Sequence, residues 1–129
     1  MEKNSQKRAI TSADAPKPIG PYSPMVQNGN LFFISGQIGL SPTTGQLVEG
    51  IDAQMHQVMK NTLALLKTAN LTFKNILQAT IYVTDIGKFQ LVNEIYGQYI
   101  PEPYPARAVV EVAKLPKGAL IEISFTAGQ

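Results

Sequence analysis

Two kinds of periodicity divide the chain into strands and helices. Stretches that alternate between apolar and polar residues, or that are rich in β-branched and aromatic residues, predict strands over residues 8–11, 25–40, 76–84, 106–112 and 119–127. Asn28-Gly29 lies between apolar flanks and predicts a hairpin turn, which divides the second stretch into two strands. The pattern therefore predicts six short strands.

Two other stretches repeat their apolar residues at steps of three and four, which is typical of amphipathic helices. The first covers residues 52–69, with Asp52 as the predicted N-cap and Asn70 as a left-handed stop. The second covers residues 87 to about 100, is capped by Asp85 and ends before a cluster of prolines.

The order β-β-β-α-β-α-β-β predicts an α+β fold of two layers, in which one mixed, mostly antiparallel sheet carries both helices on one face. A single domain over residues 1–129 is expected from the length. Between the first two strands, four prolines fall within residues 16–24, which predicts an irregular but stiff loop.

Composition narrows the possible functions. The net charge is +2 and no run of Lys or Arg exceeds two residues, so nucleic-acid binding is not indicated. No apolar stretch is long enough to cross a bilayer, so no membrane partner is expected. The chain has no cysteine, which excludes disulfides and thiolate sites and fits a reducing compartment. We therefore expect a cytoplasmic protein.

Three residues are candidates for chemistry: Tyr22 in the proline loop, Arg107 at the start of the fifth strand and Glu122 inside the sixth. Alternation along the sixth strand places Glu122 on its more polar face. Because a short corner joins these two strands, Arg107 and Glu122 are predicted to approach each other across the sheet. The pair is either a surface salt bridge or a clamp for a carboxylate beside a group that can hold water.

Two further features indicate less specific roles. His56, the single histidine, falls opposite the apolar stripe of the first helix and is predicted to be solvated, so neither a histidine base nor a histidine metal site is expected. The glycines around Ser35-Gly36 match no nucleotide-binding spacing. They are predicted to permit close approach of the backbone to a ligand or a partner strand.

Five motifs stand in order along the chain from about Arg8 to the end. They are Ile19-Gly20-Pro21-Tyr22-Ser23, Phe33-Ile34-Ser35-Gly36-Gln37-Ile38, Val92-Asn93-Glu94-Ile95-Tyr96, Pro105-Ala106-Arg107 and Leu115-Pro116-Lys117-Gly118-Ala119-Leu120-Ile121-Glu122. Together they resemble the Rid (YjgF) family, specifically its RidA branch of 2-iminobutanoate/2-iminopropanoate deaminases. The resemblance implies a chorismate-mutase-like α+β sandwich that assembles into homotrimers, with sites in clefts between subunits.

The resemblance also implies roles for single residues. Arg107 would grip the substrate carboxylate, Glu122 would hold or activate the attacking water, and Tyr22 would close the pocket. Ser35 and Gly36 would line this pocket.

Two more positions follow from the resemblance. Asn93 would lie near the pocket. Many RidA members carry a cysteine two residues after the arginine, where this chain has Val109, whose main-chain groups would still be available to bind substrate.

The implied reaction is the hydrolysis of reactive 2-imino acids and enamines to 2-keto acids and ammonia, with no cofactor and no metal. Two alternatives from other classes stay open. One is a binding module that senses keto acids or similar small carboxylates without turnover. The other is a ribonuclease or translation inhibitor, which the weak charge disfavours. A chorismate mutase would rest on fold alone.

Overall fold

The computed structural model describes residues 6–129 and contains one six-stranded sheet and two α-helices. The strands are β1 (Arg8–Ile10), β2 (Met25–Asn28), β3 (Leu31–Gln37), β4 (Ile76–Val83), β5 (Ala106–Glu111) and β6 (Ile121–Gly128); the helices are α1 (Ile51–Thr68) and α2 (Phe89–Tyr99). The strands lie in the order β1-β2-β3-β6-β4-β5. Strands β4 and β5 are parallel, and the other neighbours are antiparallel. The predicted fold class and element order are thus confirmed.

The first hairpin is present, but its turn lies one residue later than predicted. Asn28 pairs with Leu31, so the two turn residues are Gly29 and Asn30. Gly29 adopts a φ of 62°, which glycine reaches without a steric penalty. Strand β3 ends at Gln37, short of the predicted Leu40, which forms an isolated bridge outside the sheet.

Helix α1 begins one residue before its predicted cap. Gly50 occupies the N-cap, so the prediction that Asp52 caps the helix is wrong. Asp52 lies in the first turn instead, where a carboxylate favours the positive end of the helix dipole. The predicted stop is confirmed, since Asn70 has a left-handed φ of 61°. Asp85 caps a one-turn 3-10 helix that leads into α2.

Both helices pack on one face of the sheet and form the core with it. Along β6 the residues on this face are buried, and the residues between them are half-buried on the other face. That other face, the open face, carries exposed apolar side chains: Leu31, Phe33 and Val110. Among the described residues, no helix is long and apolar enough to cross a membrane.

Candidate functional site

Glu122 lies on the open face of the sheet, as alternation along the last strand predicts. It is the second residue of β6 and pairs with Tyr82 of β4. Its neighbours in sequence, Ile121 and Ile123, are fully buried against the helices. The strand therefore forces the Glu122 side chain away from the core.

A bulge in β3 brings the backbone of Gly36 against this carboxylate. Ile34 pairs with Phe125, whereas Gln37 pairs with Ile123, so β3 has one extra residue at Ser35-Gly36. A Cβ on Gly36 would overlap the Glu122 carboxylate and would lie 2.8 Å from its carboxyl carbon. The predicted close approach at this glycine is real, and the neighbour is the Glu122 side chain.

The proline loop of residues 16–24 forms the opposite wall of a cleft over Glu122. Two hydrogen bonds from Ser35 hold this loop against β3. The Ser35 N–H donates to the Pro24 carbonyl at 2.9 Å, and the Ser35 hydroxyl donates to the Ser23 carbonyl at 2.6 Å. The cleft measures about 550 Å³, and Tyr22, Ser35, Gly36 and Glu122 all line it. Four of the predicted site residues therefore meet at one place.

The electrostatic state of Glu122 is unusual for a surface carboxylate. Its side chain is half-buried, and within residues 6–129 it makes neither a hydrogen bond nor an ion pair. Burial raises the pKa of Glu122 above its ordinary value, because the ionised form loses hydration. A carboxyl group in this state can accept and return a proton nearer neutral pH than a solvated one.

Arg107 lies in a second hollow, on the other side of the sheet. It stands in the edge strand β5 opposite Ala79 of β4, whose side chain is buried under the helices. Its guanidinium carbon is 4.9 Å from the ring centroid of Tyr96 and 5.6 Å from that of Phe89, both on α2. Asn93 also lines this hollow, which measures about 360 Å³.

The prediction that Arg107 and Glu122 approach each other is wrong for a single chain. The segment that follows β5 does not form a hairpin with it but crosses over, so that β4 lies between β5 and β6. Glu122 pairs with Tyr82 on the open face, whereas Arg107 pairs with Ala79 on the helix face. The two side chains therefore belong to opposite faces of the sheet.

His56 is not the solvated residue that the helical pattern predicts. It is half-buried, and its Nδ1 lies 2.7 Å from the hydroxyl of Tyr99 at the end of α2. The two rings meet edge-on with centroids 5.7 Å apart. The position opposite the apolar stripe of α1 therefore faces α2 instead of water.

Val109 lies on the helix side of β5, two residues beyond Arg107, and is packed against the core. It is not among the residues that line either hollow. Sequence reasoning overlooked Phe89 and Tyr96 as site residues, because their spacing marked them only as apolar positions of a helix. Their spacing around Asn93, at i, i+4 and i+7, was the available signal.

Comparisons with known proteins agree with the fold and the motifs. A family model described as Endoribonuclease L-PSP matches residues 12–129. A human protein named 2-iminobutanoate/2-iminopropanoate deaminase is 46% identical over 124 residues, which cover 95% of this chain and 90% of the human one.

Two solved structures have the same fold. RidA from the Antarctic bacterium Psychrobacter is 38% identical with a TM-score of 0.92, and the match covers 95% of this chain and 99% of that one. TdcF of E. coli, solved with bound serine, is 34% identical with a TM-score of 0.89 and coverages of 95% and 98%. The chain therefore belongs to the Endoribonuclease L-PSP family, the Rid (YjgF) family that its five motifs indicate.

Proposed function

We propose that this protein is a 2-imino-acid deaminase, which hydrolyses 2-iminobutanoate and 2-iminopropanoate to the 2-keto acids and ammonia. The observation that carries the proposal is the Glu122 carboxylate, half-buried and unpaired among the described residues at the base of a cleft. The name of the human relative supports the same reaction class. A cytoplasmic location, expected from the cysteine-free composition, is part of this proposal.

Arg107 supplies the grip on the substrate. Its guanidinium makes no ion pair or hydrogen bond within residues 6–129, so its donors are available to an incoming carboxylate. The planar fork of arginine forms two parallel charge-assisted bonds with a carboxylate, which fixes both position and orientation. Every 2-imino acid carries such a carboxylate next to the reacting carbon, so this contact suits the whole substrate class.

Glu122 supplies the proton transfers. The ionised carboxylate accepts a proton from water as the water oxygen bonds to the carbon of the protonated imine, and a neutral carbinolamine forms. Glu122 then returns the proton to the nitrogen. As the C–N bond breaks and ammonia leaves, the C=O bond of the keto acid forms and the hydroxyl proton passes back to the Glu122 carboxylate. The raised pKa of Glu122 suits both steps, because the group must accept a proton and then release it.

A complete site requires two copies of the chain. Arg107 and Glu122 lie on opposite faces of one sheet, so a substrate of only six or seven heavy atoms cannot contact both within one subunit. The open face carries exposed Leu31, Phe33 and Val110, and such apolar area favours association. We infer a homotrimer in which the Glu122 cleft of one subunit meets the Arg107 hollow of the next, with Tyr22 closing the cleft.

The sensor and ribonuclease alternatives differ from this proposal in measurable ways. A keto-acid sensor would use Arg107 but has no need for a desolvated carboxylate in the cleft. A ribonuclease would need basic side chains along a binding surface, and the net charge of the chain is only +2.

The test couples a pyridoxal-phosphate dehydratase acting on threonine to this protein, with semicarbazide present to trap free imine. The wild type should speed keto-acid formation at the expense of trapped imine. Arg107→Ala should weaken 2-ketobutyrate binding about 10- to 100-fold, because charged hydrogen bonds are lost. Glu122→Gln should lower turnover about 100-fold or more while binding falls much less.

Matched variants control for surface charge and folding. Arg8→Ala and Glu94→Gln change exposed residues away from both hollows and should keep wild-type rates. Wild-type protein that binds 2-ketobutyrate but never accelerates keto-acid release would contradict the deaminase and favour the sensor.

The pH dependence follows from the direction of the Glu122 shift. The base works only when ionised, so turnover should fall as the pH drops through a midpoint above the ordinary glutamate value, and Glu122→Gln should lack this limb. The free energy of unfolding depends on pH in the opposite direction, because it decreases as the pH rises. The raised folded-state pKa contributes stability below the unfolded pKa, and this contribution is lost as the pH rises through the folded value. Glu122→Gln should therefore melt at the same or a higher temperature than the wild type at neutral pH.

A further inference from the structure

One face of α2 presents two aromatic rings to the guanidinium of Arg107. Phe89 and Tyr96 are seven residues apart, which is two helical turns, and therefore lie on the same side of the helix. Seven residues rise about 10.5 Å along the axis. The guanidinium carbon is 5.6 Å from one ring centroid and 4.9 Å from the other, so it lies within cation–π distance of both rings.

The rings are the contacts that hold Arg107, since no carboxylate pairs with it among the described residues. Asn93, one turn from each ring on the same face, also lines the hollow, and its side chain makes no hydrogen bond within residues 6–129. The hydroxyl of Tyr96 is buried without a partner in the described part of the chain. The contribution of Tyr96 to this arrangement therefore comes from its ring.

We propose that Phe89 and Tyr96 are positioning residues that hold the Arg107 guanidinium between their rings and so orient it for the substrate carboxylate. The inference rests on the proposed function, because it assigns Arg107 to the imino-acid carboxylate.

Aromatic rings hold Arg107 without using the N–H donors that its guanidinium needs to bind a carboxylate. An acidic partner would hold Arg107 by occupying its N–H donors, and the substrate carboxylate would have to displace it. Aromatic faces attract the cation through the ring quadrupole and leave the donors at the edge of the guanidinium unused. The clamp is therefore ordered before substrate arrives, which lowers the entropic cost of binding.

The test measures 2-ketobutyrate binding by calorimetry for single-ring variants. Phe89→Leu is the main variant, because Phe89 is 38% exposed and its loss should leave the fold intact. It should weaken binding about three- to tenfold. Tyr96→Leu should do the same, whereas Tyr96→Phe keeps the ring and should bind within about twofold of the wild type. Ile86→Ala, which changes an exposed apolar residue outside the hollow, is the control and should bind like the wild type.

A second readout follows Arg107 itself. The ring currents of two flanking aromatics should shift the NMR signals of the Arg107 side chain upfield in the free protein, and either leucine variant should reduce this shift. Normal binding and an unchanged Arg107 spectrum in Phe89→Leu and Tyr96→Leu would overturn the proposal. Turnover decides the deaminase separately: a wild type that binds 2-ketobutyrate without turnover defeats the enzyme but leaves the binding test of the rings intact.

Discussion

At the scale of single residues, Gly36 and Gly39, three positions apart, lack a side chain for different reasons. A Cβ on Gly36 would meet the far end of the flexible Glu122 side chain. A Cβ on Gly39 would lie 2.8 Å from the Cα of Gln54, which is backbone of α1. The first glycine makes room for a functional group, and the second permits a helix to pack on a loop.

The variants Gly36→Ala and Gly39→Ala should therefore fail in different ways. In Gly36→Ala the Glu122 carboxylate must move aside, so turnover should fall at least about tenfold while the melting temperature changes little. In Gly39→Ala the helix itself must shift, which should cost about 1–3 kcal/mol of the free energy of unfolding. Deaminase assays and denaturant titrations of both variants check this contrast. Wild-type turnover in Gly36→Ala would mean that the position of Glu122 is unimportant.

At the scale of elements, buried polar side chains of α1 connect the helix to the walls of the Glu122 cleft. The side-chain amide of Gln54, which is 2% exposed, donates to the Val48 carbonyl at 3.0 Å and accepts from the Leu120 N–H at 2.8 Å. Asn61 donates to the Leu40 carbonyl at 3.0 Å. Leu40 lines the cleft, and Leu120 lies two residues before Glu122, so the helix holds both in place.

Gln54→Leu should destabilise the protein by about 1–3 kcal/mol, because two buried backbone groups lose their partner. The free energy of unfolding from urea titration measures the loss. Gln90→Leu, an exposed position on α2, is the matched control and should change stability by less than about 0.5 kcal/mol. An equally small change in Gln54→Leu would show that water replaces the amide without cost.

Periodicity predicted these elements well but not their polar contacts. The apolar steps of α1 mark Met55, Val58 and Met59, which are fully buried. They give no reason to bury Gln54, whose partners lie 6 and 66 residues away in the chain. His56 was predicted to be solvated for the same reason. A helical wheel shows which side of α1 lacks apolar residues, but it does not show that α2 covers that side.

At the scale of the whole molecule, the order of strands in the sheet determines where Arg107 and Glu122 lie relative to each other, and local sequence patterns did not predict this order. The fold class and the six strands were predicted from local patterns. The five motifs, through the family that they resemble, predicted that Tyr22, Ser35 and Glu122 share one pocket, and all three line the cleft. The pairing of Arg107 with Glu122 assumed that consecutive strands are neighbours. Strand β6 instead inserts between β3 and β4, a long-range arrangement that no local pattern encodes.

This strand order separates Arg107 from Glu122 within one chain. Arg107 lies on one face of the sheet and Glu122 on the other, so the proposed reaction, which uses both residues on one substrate, requires a second copy of the chain. A cyclic assembly satisfies this requirement, because each copy can give one hollow to each neighbour.

The most direct measurement mixes two impaired variants, Arg107→Ala and Glu122→Gln, under conditions that allow subunits to exchange. If each site takes Arg107 from one copy and Glu122 from the next, about a quarter of the sites in a random one-to-one mixture have both wild-type residues. At a low substrate concentration, deaminase activity should then return to about a quarter of the wild-type level, well above that of either variant alone. A well-exchanged mixture without activity would place both residues in the same chain's site and contradict the account.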